Sequence, residues 1–173
     1  MLIIYLNMLP IFNPRQTILV TCREKIADKF TGREHIKDNI ITLDWHMPVS
    51  FQPFLYAIAI GKKRFSHNLI KESMVFVVNF MPYHLEEEVL DCGRHSGAHM
   101  DKFEKTGLAK EEADRIDCPR IRQALAILEC EIINSIDAGD HTVFISKVVH
   151  SEEKEKGKRL FHTEGDEFTT TKE

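Results

Sequence analysis

No two cysteines in this chain are spaced as CxxC, no stretch reads GxGxxG or as a Walker phosphate loop, and no GxSxG turn occurs. An ordinary dinucleotide fold, a nucleotide triphosphatase and a serine hydrolase are therefore disfavoured. The four cysteines, Cys22, Cys92, Cys118 and Cys130, are scattered along the chain and read as free thiols of a reducing compartment. Neither sign of charge is in excess: 23 basic and 27 acidic residues leave a net charge of −4. A nucleic-acid or anionic-membrane partner is not expected from such a balance. Long apolar runs are also missing. The opening MLIIYLNMLPIF is interrupted by Pro10 and falls well short of the roughly 18 residues of a spanning helix. It has no basic start and no small-residue cleavage site, so a cytoplasmic location is expected.

The 173 residues are read as a single domain, 1–173, large enough to bury a core without metal or disulfide staples. Strand-like segments dominate: Thr17 to Cys22, Asn39 to Trp45, Leu55 to Ile60, Met74 to Phe80, Ala124 to Ile136 and His141 to Val149, with a last short one near LFHTEGDEFTT. Turn residues such as Pro14, Pro53, Gly61, Pro82 and the run Ala138 to Asp140 bound several of them. That many strands in one chain predict a mainly β, closed or nearly closed barrel. Helical signals fill the gaps. Ser66 is a candidate N-cap for HNLIKES, and LEEEVLDCGRH carries one apolar face that Gly93 is expected to stop. KEEADRID and EEKEKGKR read as solvated surface segments.

Two stretches carry chemistry. In CGRHSGAHMDKF, residues 92 to 103, His95 and His99 have the i,i+4 spacing of a zinc pair, but Gly93 and Gly97 break the helix that geometry needs. Cys92 falls on the apolar side of its short helix, which suits a buried thiol better than a nucleophile. In GKKRFSHNL, the cations Lys62, Lys63 and Arg64 run into Ser66 at a helix start. Ammonium, guanidinium, hydroxyl and free backbone N–H groups can converge there on one anion, as a phosphate requires, although a basic turn can equally be a solvated surface.

Taken together, NIITLDWHMPVSFQPFLYAIAI, GKKRFSHNLIKES, VVNF, CGRHSGAHMDKF and DAGDHTVFISKVV, in that order, resemble the flavin reductase-like FMN-binding split-barrel family, which includes the flavoredoxins. The likeness runs from about Pro14 to about Thr170. It implies an antiparallel Greek-key split barrel with a few peripheral helices, FMN near the interface of a homodimer, and NADH or NADPH as electron donor. By the same likeness Asn39, Thr42, Leu43, Asp44, Trp45 and His46 flank the ring and ribityl chain, while Ser50, Arg64, Ser66 and His67 fall at the phosphate. Ser96, Lys102 and His141 supply polar contacts. Lys102 or a protonated His141 is expected near flavin N1 and O2, and Ser96 and Lys102 are allowed to reach a flavin held mainly by the other subunit. Neither a metal nor an obligatory catalytic residue is expected, because the cofactor carries the chemistry. The acidic Glu164, Asp166 and Glu167 near the end argue against the extra phosphate of NADPH. A flavin-binding electron carrier without nicotinamide activity is the alternative.

Overall fold

The computed structural model describes residues 9–28 and 31–171. Most of the opening apolar segment, residues 1–8, lies outside the described residues. After a short turn of 3-10 helix, Leu9–Phe12, come β1 (Arg15–Gln16), β2 (Ile18–Ala27), β3 (Glu34–Leu43), β4 (His46–Phe51) and β5 (Phe54–Gly61). Helix α1 (Phe65–Ser73) leads to β6 (Val75–Phe80). Helices α2 (Glu86–Arg94) and α3 (Lys102–Thr106) and the small hairpin β7 (Lys110–Glu112) and β8 (Pro119–Ile121) follow. The long strands β9 (Ala126–Ala138) and β10 (His141–Glu153) and the short β11 (Phe161–His162) and β12 (Phe168–Thr169) complete the order.

Seven strands form one antiparallel sheet in the order β3-β2-β6-β9-β10-β5-β4. Its two edge strands are consecutive in the chain, joined only by Asp44 and Trp45. Laid flat, the edges would stand about 29 Å apart at the usual strand spacing. A two-residue link spans at most about 10 Å. The sheet must therefore roll up, and it does so as a split barrel whose seam lies between β3 and β4. The jump from β5 to β6, which pairs with β2 on the far side, is of the Greek-key kind. Helix α1 makes this crossing, inserting Leu69 and Ile70 into the barrel core.

Both faces of the central strands are buried, which explains their unbroken apolar sequence. Alternate residues, Ile18, Val20 and Cys22 on β2 and Phe76, Val78 and Phe80 on β6, point into the barrel with Phe144. The intervening Leu19 and Val77, with Ile40 and Ile127, face outward and are covered by Val89 and Cys92 of α2, Phe103 of α3 and Ile121 of β8. Each large apolar side chain sealed in this way stabilises the fold by roughly 1.5–3 kcal/mol. The buried Asn79 amide joins the layers. It donates to Leu19 O at 3.2 Å and accepts from Ile121 N at 2.9 Å.

The structure departs from the sequence reading in a few places. Helix α2 continues through Gly93 to Arg94. The N-cap of α1 is Arg64, without a side-chain bond, and Ser66 lies inside the first turn. Much of KEEADRID forms β7 and the loop after it, where the buried Glu129 carboxylate accepts the N–H groups of Asp114 and Arg115, both at 2.8 Å.

Asp38 on β3 is the hub that ties this hairpin to the barrel. Its carboxylate accepts from Arg23 Nε and Lys110 Nζ, each at 2.6 Å. Burial by itself would raise its pKa, but the hydrogen bonds from Arg23 and Lys110 outweigh burial and hold it below the usual value. Stability from a depressed carboxylate is complete above the unfolded value, about 3.9, and is lost as pH falls through the folded one. Asp38→Asn is expected to cost about 1–2 kcal/mol near pH 7, allowing for partial solvent screening. The difference from wild type should close below about pH 4 in urea unfolding.

Candidate functional site

The barrel seam opens into a cavity of about 350 Å³. One wall is β3 from Asn39 to Leu43 with the link Asp44 and Trp45. Opposite stand Ala59 and Gly61 at the end of β5, then Lys63, Arg64, Phe65 and Ser66 where the chain turns into α1. The C-terminal turn of α2 and the loop after it, Cys92 to Gly97, close the side, together with Lys102 and His141. Because β3 is an edge strand, its outer row of backbone groups borders this space without ladder partners.

The two ends differ in chemistry. At one, Lys63 and Arg64 are exposed and have no carboxylate partner among the described residues, and no side chain caps α1. Ser66, only 3% exposed, accepts a hydrogen bond from Asn39 Nδ2 at 2.7 Å. Toward the Trp45 end the Trp45 and His141 rings lie 4.7 Å apart, tilted by 33°, and the other side of the His141 ring shares the space over Gly61 with the Arg64 stem. His141 Nδ1 is 2.7 Å from the Asp140 carboxylate. Asp44 accepts from Thr17 Oγ1 at 2.7 Å, with His162 Nδ1 2.8 Å away, while the Trp45 carbonyl accepts from Ala59 N at 2.9 Å. The link is thus clamped from both sides.

Lys102, 5% exposed, forms part of the lining between α2 and β3 and donates to Ile40 O at 2.7 Å and Cys92 O at 2.6 Å. Burial is the main cause that lowers its pKa, and the cations Arg64 and Lys37 lower it further while the Cys92 and Cys22 thiols oppose them. Burial pushes the Cys92 thiol up to about 12, so it is neutral and inert at ordinary pH.

Ten of the residues singled out from the sequence therefore line one cavity: Asn39, Thr42, Leu43, Asp44, Trp45, Arg64, Ser66, Ser96, Lys102 and His141. Ser96 and Lys102 share it with Ser66 of the same chain. Lys102 sits beside Ile40, toward the cationic end rather than beside Trp45 and His141. Three others do not line it. One residue beyond Trp45 the strand alternation turns His46 to the other side, where it contacts Tyr56 Oη at 2.6 Å and Gln16 O at 2.9 Å. Burial chiefly lowers its pKa. His67 is turned one position round α1 toward β10 and meets Thr142 Oγ1 at 2.9 Å. Ser50 lies beyond a bulge on β4, about 16 Å along the strand from Trp45. Arg94, His95 and Gly97 also line the cavity; they belong to the loop that the sequence marked, where His95 was weighed only as half of a zinc pair and nothing in its residue type separated Arg94 from its neighbours. His95 Nδ1 lies 3.0 Å from Asp91 O, and α2 has ended before His99, so these histidines do not share the helical face of a zinc pair. Among the described residues Asp114, His150 and Glu152 are close enough for a metal, yet Arg120 Nη1 already lies 2.9 Å from Asp114 and 3.2 Å from Glu152.

A family model described as flavin reductase like domain matches residues 12–170. The chain belongs to that family. An uncharacterized protein of Archaeoglobus fulgidus is 37% identical over 144 residues, covering 83% of this chain and 75% of that protein. A ferric-chelate reductase (NAD(P)H) of the same organism is 28% identical over 102 residues, 58% of this chain and 59% of that one. The crystal structure of an FMN-binding protein from Thermus thermophilus with bound p-hydroxybenzaldehyde superposes with a TM-score of 0.78 at 23% identity, covering 92% of this chain and 87% of that one. The flavin reductase like domain thus has the mostly β, antiparallel fold of its family, and its family places it among flavin-linked oxidoreductases. No described helix is long and apolar enough to cross a membrane.

The glycines of the family loop differ in what they tolerate. A Cβ on Gly97 would fall 1.9 Å from Asn39 Oδ1, whereas one on Gly93 would meet Thr42 at 3.4 Å. Gly97→Ala should lose about 1–3 kcal/mol by overpacking. Gly93→Ala, inside a helix, should be neutral or gain up to about 1 kcal/mol. Chemical denaturation of the two variants beside wild type checks the contrast.

Proposed function

We propose that the chain binds FMN in this cavity and works as an NAD(P)H-dependent flavin oxidoreductase. The observation that carries the reading is the polarity of the cavity along β3. Ser66 and the unpaired cations stand toward Asn39 and Trp45 stands past the other end of the open strand edge, with His141 between them, against Trp45 and beside the Arg64 stem at Gly61. From Asn39 to Leu43 that edge runs about 13 Å, long enough for an extended ribityl phosphate. Arg64, Lys63 and Ser66 would hold the phosphate, and outer backbone groups of β3 would meet the ribityl chain. Trp45, Asp44 and His141 would border the ring. Lys102, fixed on Ile40 O and Cys92 O, would add positive field nearer the phosphate than the N1 edge of the flavin. FMN bound there would supply the two-electron chemistry, taking hydride from a nicotinamide on its ring. The chain's part is to hold the rings in stacking distance and to fix the surrounding charge.

Two further parts of the reading rest on the surface and the thiols. Phe51 is 95% exposed at the tip of the β4–β5 hairpin, beside the exposed Met47, Val49 and Phe54. So large an apolar patch on the strand that leaves the cavity at Trp45 supports a homodimer, with the flavin near its interface as the family likeness implies. Four buried free cysteines support a reducing, cytoplasmic setting for this single flavin-binding domain. Asp166 pairs with Arg94, so its acidity is offset at the mouth, and either NADH or NADPH is chemically compatible.

The purified protein should be yellow, and acid should release FMN rather than FAD, because one cationic end serves one phosphate. Anaerobic addition of NADH or NADPH should bleach the flavin on a catalytic timescale. A colourless protein that takes up no added FMN would contradict the reading. Bound flavin that neither nicotinamide bleaches would instead favour an electron carrier reduced by another protein.

A further inference from the structure

Asn39 is 2% exposed and its amide has one protein partner: Nδ2 donates to Ser66 Oγ at 2.7 Å, while Oδ1 finds no donor among the described residues. That oxygen is pressed against the backbone of Gly97, where a Cβ would fall 1.9 Å from it. The amide therefore cannot swing toward the loop. Ser66 Oγ, with a lone pair occupied by Asn39, keeps its own proton, and no hydrogen bond from that hydroxyl is made among the described residues. Ser66 lies in the first turn of α1, so no helical carbonyl one turn earlier is there to take that proton. Here the proton is left for the cavity that Ser66 and Arg64 both line.

We propose that Asn39 is a positioning residue: by donating to Ser66 it fixes the serine hydroxyl as a hydrogen-bond donor toward the ligand's phosphate. This rests on the flavin reading above and extends it to a specificity for the phosphorylated flavin. The order of donation is Asn39 Nδ2–H to Ser66 Oγ, then Ser66 Oγ–H to a phosphate oxygen. Gly97 holds the first member in place, so the loop of residues 95–97 is mechanically joined to the anion end. With the amide turned the other way, Ser66 would spend its proton on Asn39 and meet the phosphate with lone pairs, which repels an anion.

The test is a double-mutant cycle on the full chain, with FMN and riboflavin binding followed by quenching of flavin fluorescence and each variant's thermal unfolding recorded. Ser66→Ala should weaken FMN about tenfold or more and riboflavin by less than about twofold. Asn39→Ala should show the same phosphate-selective loss, and none further when added to Ser66→Ala. Asn39→Asp, which can only accept from Ser66 and adds a negative charge, should lose FMN more severely than Asn39→Ala. If that variant does not fold, the alanine cycle decides alone. Additive losses, equal losses for FMN and riboflavin in Asn39→Ala, or full FMN affinity in Asn39→Asp would each overturn the inference while leaving FMN binding intact. Wild-type protein that binds neither flavin would overturn the flavin reading and this inference with it.

Discussion

The two-residue link between β3 and β4 is the constraint on which the rest of the molecule depends. Asp44 and Trp45 join the two outer strands of a seven-stranded sheet, and no flat arrangement can satisfy so short a connection. Rolling the sheet brings the open edge of β3 to face the end of β5 and the start of α1. A strand edge is ordinarily a liability because its backbone groups seek a partner. In this barrel it becomes one wall of a cavity, and the link itself, held by Thr17 and Ala59, carries the aromatic group at one end.

Charge placement along that wall follows from the same geometry. The turn after β5 must reverse into α1 to cross the barrel, so Lys63, Arg64 and Ser66 arrive where the helix presents its N-terminus. Helix amides and cations of one sign favour an anion there. Lys102 adds a buried positive charge that backbone carbonyls solvate but no carboxylate neutralises among the described residues. Burial chiefly lowers the pKa of Lys102, and repulsion from the Arg64 cation lowers it further. An anionic ligand would relieve both.

Much of the barrel was legible because β2, β5, β6, β9 and β10 are rich in β-branched residues and bounded by turns. Strand β4 was not: HMPVSF contains Pro48, which an edge strand tolerates and a central strand does not, and most of its side chains are exposed. Strand β7 hides in polar sequence because ion pairs to Arg23 and Arg120 hold it, while β8 is three residues long and its one large apolar side chain, the buried Ile121, is too little to mark a strand. Within the cavity, Arg64 and Ser66 were legible as a basic turn running into a helix start, while Asn39 and Trp45 were found through family likeness. His46 and His67, adjacent to true lining residues, were carried along with them although strand alternation and helix rotation turn their rings away. The Asn39–Gly97 contact left no signal at all, since a close approach across 57 intervening positions has no periodicity to betray it.

An experimental structure of the protein crystallised with FMN tests the central claim most directly. The account predicts one flavin in the seam cavity, its phosphate against Arg64 and Ser66 and its ring bordered by Trp45 and His141. A flavin bound at another face, or lying in this cavity with its phosphate toward Trp45, would contradict it.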